Sequence, residues 1–562
     1  MARTIGLGIQ DFKKIVDHQY FYIDKTMFIK QWWESGDDVT LITRPRRFGK
    51  TLALSMLDYF FSVKYQKEKT LFDGMLIGQE QAYRSIQGTF PVISLSFASI
   101  KETTFQNARD KICQLIAREY ARSTFLREAG ILSEQEKATF YRKAYDMGDV
   151  DATLSLNQLC EYLCRYYGKK AIILLDEYDT PMQEAYVYGY WNELADFIRS
   201  LFNASFKTNP YLERAVLTGI TRISKESLFS DLNNLAVITT TSSMYADSFG
   251  FTESEVFAAM DEFGLTEKET VKRWYDGFIF GSCKDLYNPW SILNYLREKR
   301  VAAYWVHTSS NRLVGKLIQE GSAGIKMVME DLLLERPFYT ELDEQIVFDQ
   351  LDYKASAVWS LLLASGYLRA QHVEFDAESG RTSYGLCLTN REVRLMFVQM
   401  IEGWFKEYTP AYNAFIKALL SHDIDAMNEY MNCVSQDLFS SFDTGTAPSK
   451  KSQPERFYHG FVLGLVVELS GSYVITSNRE SGFGRYDIML TPKKECLDAY
   501  LIEFKVFHPK KEHSLADTVK TALDQIEAKK YDAELLKKGI PSARIYKYGF
   551  AFEGKHVLIG TV

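Results

Sequence analysis

Several things are scarce in this chain, and each scarcity excludes something. Cysteine comes first: there are seven in 562 residues, an odd number, with no CxxC pair among them. Cys160 and Cys164 stand four apart, on one side of an expected helix. Thiols so placed imply a reduced, cytoplasmic protein and speak against a disulfide framework or a zinc site. Only 12 prolines leave little room for a long Pro-rich tether. Long apolar runs are missing too, since no stretch approaches the roughly 20 apolar residues of a membrane span. The opening MARTIGLGIQDFKKI breaks with charges what a secretory leader would keep apolar, so a soluble, intracellular chain without a membrane partner is expected. Excess positive charge is absent as well. The 66 basic and 73 acidic side chains give a net charge of −7, which excludes a polycationic nucleic-acid coat but leaves room for a local basic groove.

What is present is ordinary globular composition, 46% apolar and 25% charged, at several times the length of one domain. An α/β multidomain protein of three or four domains is the expectation. Phe12 to Trp33 is rich in aromatics and forms an N-terminal element. From Val39 short β-branched runs alternate with helical stretches: Val39 to Thr43, Pro91 to Phe97, Ala171 to Leu175, Ala215 to Thr218 and Ala236 to Thr240. That alternation predicts a mainly parallel sheet covered by helices. Residues 100–168 read as a mostly helical insertion or lid, with Leu154, Leu159, Tyr162, Leu163 and Tyr166 at helical spacings. Thr252 and Glu255 form a capping-box pattern that opens a further helix, and a small helical lid is expected over 246–350. Over 351–442 a helix, a hairpin turning at Glu378-Ser379-Gly380 and a second helix predict a winged-helix module. Asp443 to Pro454 is the clearest linker, and a C-terminal domain is placed at 455–562, after a first domain over 1–245.

The first chemical constellation follows the strand VTLIT. Arg44-Pro45-Arg46-Arg47-Phe48-Gly49-Lys50-Thr51 precedes an apolar helix, an order that sets backbone N–H groups and a helix N-terminus around a phosphate. Lys50 would neutralise the β- and γ-phosphates of ATP, and the Thr51 hydroxyl would fill part of a Mg²⁺ shell. Arg46, Arg47 and Gly49 belong to the same nucleotide-binding loop. Arg44 stands where the usual GxxxxGK[ST] pattern has glycine, and Gly-Lys-Thr alone is as readily a plain loop before a helix. The second half decides: the buried strand Ala171 to Leu175 ends in Asp176-Glu177, so that Asp176 can hold Mg²⁺ while Glu177 orients an attacking water. If the strand that ends in Thr218 lies between those two, its hydroxyl can sense the γ-phosphate. Arg222, in the following loop, is either a phosphate-contacting or an interdomain arginine.

RPRRFGKT, ILLDEYD, LTGITRISKESLFSDLNNL, FGFTESEV and WYDGFIFG followed by YNPWSILNYL resemble the bacterial AAA-ATPase-like family commonly fused to a PD-(D/E)xK nuclease domain. The likeness spans roughly residues 5 to 300. It implies an additional-strand P-loop sheet related to AAA and STAND ATPases, tolerance of arginine at the first loop position, and a winged helix after it. Ring-forming and monomeric relatives both occur, so a homo-oligomer stays open.

The second constellation lies near the C-terminus. After an apolar helix the chain reaches Gly484-Arg485-Tyr486-Asp487 on one strand, a polar turn, and Glu503-Phe504-Lys505 on the next. Side chains at i and i+2 share a strand face, so Glu503 and Lys505 point the same way and Asp487 can stand beside Glu503. Two carboxylates so close repel unless a cation sits between them, which suits Mg²⁺ or Mn²⁺ held by Asp487, Glu503 and the Phe504 carbonyl. Lys505 would position water or compensate developing negative charge, and Arg485 could hold the scissile phosphate. An ExK triplet alone is common; the preceding helix, the GxGRxD turn and the apolar LIEF strand give it weight. The segment 455–562 resembles the PD-(D/E)xK superfamily, restriction-endonuclease-like, with an α-β-β-β-α-β core. That resemblance implies Glu455 as a further acidic residue, with Glu468 competing, and Gln525 and Tyr531 as accessory polar positions. Counted from the sequence, this segment carries about +2 and the remainder about −9.

Together these readings predict an ATP-binding and ATP-hydrolysing protein coupled to a metal-dependent nuclease acting on DNA in preference to RNA. Its winged helix would touch duplex or transmit the lid motion, and by analogy of architecture its setting would be mobile elements or defence. The competing expectation is a nucleotide-switched regulator or scaffold whose nuclease-like domain binds nucleic acid without cutting it.

Overall fold

The computed structural model describes residues 3–145, 147–222, 228–229, 232–305, 312–319, 321–342, 351, 354–406, 409–442, 453–481 and 484–562. The chain divides into two compact units. One comprises Met1–Ser310 and Tyr339–Val393, the other Asn311–Phe338 and Arg394–Val562, so one division falls inside the helix Arg391–Lys406.

The first unit is built on five strands, β1 (Val39–Thr43), β2 (Val92–Ser96), β3 (Ala171–Asp176), β4 (Leu212–Gly219) and β5 (Leu235–Ile238). Their order is β2-β3-β4-β1-β5 and every pairing is parallel. β1 and β3 are buried along their whole length, as the mainly apolar and β-branched runs VTLIT and AIILL require in a sheet covered on both faces. β4 lies between β1 and β3, so the strand ends that carry Thr218 and Asp176 are neighbours. The N-terminal helices Phe12–Asp17 and Met27–Ser35 pack Phe12, Phe28, Ile29 and Trp32 into one core with the helix Lys50–Phe61.

Residues 105–167 are helical as expected, with long helices Phe105–Arg122, Glu134–Tyr145 and Asp149–Tyr167. Leu159, Tyr162 and Leu163 form the buried face of the last, whereas Leu154 and Tyr166 are exposed. The capping box at Thr252 and Glu255 is present and opens the helix Glu253–Glu262. The stretch after it is not wholly helical. β6 (Phe251–Thr252), β7 (Asp276–Phe280) and β8 (Cys283–Tyr287) form a small sheet in the order β6-β8-β7. The reason lies in YDGFIF: Gly277 has φ +131°, and its Cβ position would fall 2.0 Å from the Thr389 carbonyl, so the backbone must be extended and bare there. The helix Ala355–Ala364, hairpin and helix Arg391–Lys406 appear in the expected order. The hairpin strands are joined by a third strand: β9 (Phe338–Glu341), β10 (Leu368–Asp376) and β11 (Arg381–Leu388) lie in the order β10-β11-β9.

Of the expected linker 443–454, residues 443–452 lie outside the described residues. In the second unit the helix Gln453–Leu469 precedes β12 (Tyr473–Ser481), β13 (Gly484–Pro492) and β14 (Ala499–Val506). The helix Leu515–Ala528 follows, then β15 (Ile545–Glu553) and β16 (His556–Thr561). The strands run in sequence order, antiparallel except for the parallel pair β14 and β15. This is the α-β-β-β-α-β succession with one strand added at the end. All seven cysteines are free, and no helix among the described residues is long and apolar enough to cross a membrane.

Candidate active sites

In the first unit the phosphate-loop candidate is a turn between β1 and the helix that starts at Lys50. Gly49 caps that helix at φ +88°, where a side chain would be strained. Lys50 is buried; its Nζ donates to the carbonyls of Arg44 (2.8 Å) and Pro45 (3.0 Å), and burial lowers its pKa. Thr51 Oγ1 donates to Asp176 Oδ2 at 2.7 Å, and Thr218 Oγ1 donates to Asp176 Oδ1 at 2.6 Å. Both carboxylate oxygens are thus taken by hydroxyls from the two elements the sequence singled out. Burial raises the Asp176 pKa, with the two threonine bonds opposing it. Glu177 sits at φ +50°, uncommon for a residue with a side chain, and accepts a bond from Thr180 Oγ1 at 3.0 Å.

The three arginines of the loop differ. Arg44 is fully buried; it donates to the carbonyls of Thr43 (3.1 Å), Thr239 (2.5 Å) and Met244 (3.3 Å) and lies over the Phe280 ring. Burial pulls its pKa down to about 9. It braces the end of β1 from below, a role that a glycine could not fill. Arg46 is partly buried, and its carbonyl accepts from Asn288 Nδ2 and Trp305 Nε1, each at 3.1 Å. Arg47 is exposed at φ +66° and lies over the Trp290 ring at 4.5 Å. Arg222 lines a small cavity beside Thr43, Thr239 and Thr240.

One residue escaped the sequence reading. Asp179, buried on the loop after β3, accepts from the Ile220 and Thr221 backbone N–H groups (3.0 and 2.8 Å) and from Thr221 Oγ1 (2.8 Å). It fixes the turn that follows Thr218. The trace it leaves in the sequence is Gly219: a Cβ there would come within 2.7 Å of Asp179 Oδ1.

In the second unit the ladder places Ile488 opposite Ile502, so the next pair outward is Asp487 and Glu503, which share a face. The Phe504 N–H donates to Asp487 Oδ2 at 2.8 Å. N–H and C=O of one strand residue point to the same neighbour, so the Phe504 carbonyl faces the Asp487 side as well. Glu503 is 2% exposed; its Oε1 accepts from Gln525 Nε2 and lies 3.3 Å from Lys505 Nζ. Its Oε2 is buried with no hydrogen-bond partner among the described residues. Burial first, and Asp487 second, push its pKa up to about 8. Gln525 also accepts from Lys505 Nζ (2.5 Å) and donates to Tyr531 Oη (3.1 Å), so the two accessory positions join the same network. The side chains of Glu455 and Arg485 lie outside the described residues, although their backbones belong to the helix Gln453–Leu469 and to β13. Glu468 is exposed. Among the described residues no three His, Cys, Asp or Glu side chains converge on one point. A divalent ion nevertheless fits the donor set, because Glu503 keeps a buried oxygen without a donor among the described residues, next to a second carboxylate.

Comparison with known proteins agrees with the geometry. Residues 6–229 match the family model described as Predicted AAA-ATPase, and residues 453–562 match that of the PD-(D/E)XK nuclease superfamily. An AAA-ATPase-like domain and a PD-(D/E)XK nuclease domain share this chain. A curated relative from Azotobacter chroococcum mcd 1, described as an uncharacterized protein in the vnfD 5' region, is 26% identical over 565 residues. The alignment spans 96% of this chain and 95% of that protein.

Proposed function

We propose that the AAA-ATPase-like domain binds and hydrolyses ATP and that its nucleotide state controls metal-dependent cleavage of nucleic acid, DNA in preference to RNA, by the nuclease domain. The carrying observation is Glu503, a buried carboxylate beside Asp487 with one oxygen held by Gln525 and the other without a donor among the described residues. Asp487, Glu503 and the Phe504 carbonyl would hold Mg²⁺ or Mn²⁺. When bound, such an ion supplies charge stabilisation at the scissile phosphate and an activated water. Lys505, fixed by Gln525, orients the water or neutralises charge on the phosphate. Glu455 and Arg485 are assigned a supporting acid and a phosphate contact.

In the ATPase domain Lys50, Gly49, Arg46 and Arg47 take the phosphates, while Thr51 and Asp176 would hold Mg²⁺. Glu177 orients the attacking water and Thr218 reports the γ-phosphate through its bond to Asp176. Arg222 serves as a phosphate or interdomain contact. Residues 246–350 act as a lid, and 351–442 as a winged-helix region that relays its motion. Support for the relay comes from the loop itself. Asn288 and Trp305 grip the Arg46 carbonyl, and Glu392 accepts from Ser291 Oγ (2.8 Å) and the Trp305 N–H (2.5 Å).

The test uses the full chain with Mg²⁺, assayed for ATP turnover and for nicking of duplex and single-stranded DNA and RNA. Glu503→Gln is expected to lose cleavage and keep ATP turnover, and Lys50→Ala to lose turnover. Cleavage that survives in Glu503→Gln sinks the assignment. Tight metal-dependent binding without cleavage by the native chain would mean a regulator or scaffold instead.

A further inference from the structure

Away from the phosphate loop, the ATPase-like domain contains a cavity of about 370 Å³, within the range of small-molecule pockets. One wall is the edge strand β2, through Val92, Ile93 and Ser94; another is the helix Lys50–Phe61, through Asp58. Phe125, Leu159, Leu163 and Tyr167 give it an apolar side.

Four charged residues line it, and their bonding is uneven. Lys64 Nζ donates to the Val92 carbonyl at 3.2 Å, and Arg122 pairs with Glu119 at 2.5 Å. Both cations therefore have partners within the wall. Asp58 Oδ1 is buried and has none among the described residues. A buried acceptor without a donor is unfavourable, and a hydrogen-bonding ligand removes that cost. An anionic ligand would set its charge against Asp58 and Glu119, and a purely apolar one would leave Oδ1 dry.

We propose that this cavity binds an organic ammonium ion carried on an aromatic or apolar body, with Asp58 as the counter-ion. The ammonium supplies the donor that Oδ1 lacks, and the Phe125 and Tyr167 rings take the body and favour the cation. Burial raises the Asp58 pKa to about 6 against the opposing pull of Lys64 and Arg122, so the carboxylate is ionised at neutral pH. The site also has a defined place in the domain. Asp58 lies eight residues beyond Lys50 on one helix, about 12 Å along its axis. Ser94 pairs with Leu174, two residues before Asp176. One wall is thus the helix that begins at Lys50, and another is the strand paired with the one that ends in Asp176.

The experiment is calorimetric titration of the full chain with phenethylammonium chloride as the probe. The neutral 2-phenylethanol and the anionic 3-phenylpropionate serve as comparators. Saturable one-to-one binding of the ammonium is expected, at least tenfold tighter than either comparator. Asp58→Asn should weaken it at least tenfold with an unchanged circular dichroism spectrum. Should that variant fail to fold, Tyr167→Ala, at a half-exposed position, carries the test with an expected loss of three- to tenfold. Absence of saturable binding to the native chain overturns the proposal. So does native-like affinity in the variant that folds, or a preference for the anion. None of these readouts depends on ATP turnover, so the proposal fails or stands separately from the function proposed above.

Discussion

Replacing Thr218 by valine removes one hydroxyl and little else, because the two side chains have nearly the same shape and both suit a strand. In the native chain Thr218 Oγ1 donates to Asp176 Oδ1 at 2.6 Å, opposite the bond from Thr51 Oγ1 to Oδ2 at 2.7 Å. Asp176 is 5% exposed, so bulk water does not take over the lost bond. A hydrogen bond to a charged group is worth about 1.5–3 kcal/mol, and each 1.36 kcal/mol is tenfold in rate or equilibrium. Burial already raises the Asp176 pKa, and the Thr218 bond is the largest influence opposing that rise. Thr218→Val therefore disfavours the carboxylate form that, on the proposed function, would hold Mg²⁺ beside the nucleotide. Hydrolysis of Mg·ATP should fall roughly ten- to hundred-fold in kcat. Affinity for ATP without Mg²⁺ should change by less than about threefold, since Lys50 and the loop are untouched. Thr218→Ser should recover most of the rate. Full activity of the valine variant, or equal impairment of the serine variant, would refute the reasoning, because either result detaches the hydroxyl from the chemistry.

Three further outcomes are expected. Arg44→Gly restores the common glycine of the loop pattern, yet should lower the stability of the first unit by roughly 3 kcal/mol, since three carbonyls lose their donor and a cavity opens; thermal melting measures it. Gln525→Leu should cut nuclease turnover about 10–100-fold and leave ATP turnover unchanged, because it releases Glu503, Lys505 and Tyr531 from one shared side chain. Glu330 is buried and accepts from the Ser477 hydroxyl; burial raises its pKa from 4.5 to about 7. A folded pKa above the unfolded one means that its contribution is complete below about pH 4.5 and lost as pH rises through about 7, a change of about 3 kcal/mol. Glu330→Gln should flatten that loss, as read by hydrogen exchange in the helix Ala323–Leu333 between pH 5 and 8.

What the sequence made legible follows from periodicity. Five parallel strands announce themselves because both faces are buried, leaving VTLIT and AIILL β-branched and apolar apart from threonine. Asp487 and Glu503 could be placed together because a strand has a period of two and a short turn fixes the register. Gln525 and Tyr531 needed the family resemblance, for nothing local in TALDQIEAKKY points at Glu503. Arg44 read as a defect of the loop pattern; its buried stacking on Phe280, 236 positions away, is a tertiary fact. Asp179 stayed hidden for the same reason, since its partners Ile220 and Thr221 lie on another strand's exit. The β6-β8-β7 sheet was missed because Gly277 interrupts the alternation that would have marked a strand.

The two sites rest in different states, and the difference bears on why one would govern the other. At the candidate nucleotide site Lys50 and Asp176 are occupied from within: Lys50 by two loop carbonyls, Asp176 by two threonines. On the function proposed above, ATP would exchange these bonds for its own, and its binding would move Lys50 and Thr51. The Arg46 carbonyl is bonded to Asn288 and Trp305, and Trp305 to Glu392, one residue before the end of the first unit, so such a movement would have a bonded route that far. The nuclease site is the reverse. Gln525 holds Glu503 and Lys505 in place in advance, and one Glu503 oxygen stays without a donor among the described residues. A site so organised needs no rearrangement to take a cation and would cut whatever reached it. Control of such a centre is most effective when applied to access, through an element whose position depends on an exchangeable ligand elsewhere. On the proposed function, a latched nucleotide site and a primed nuclease site in one chain would be those two parts.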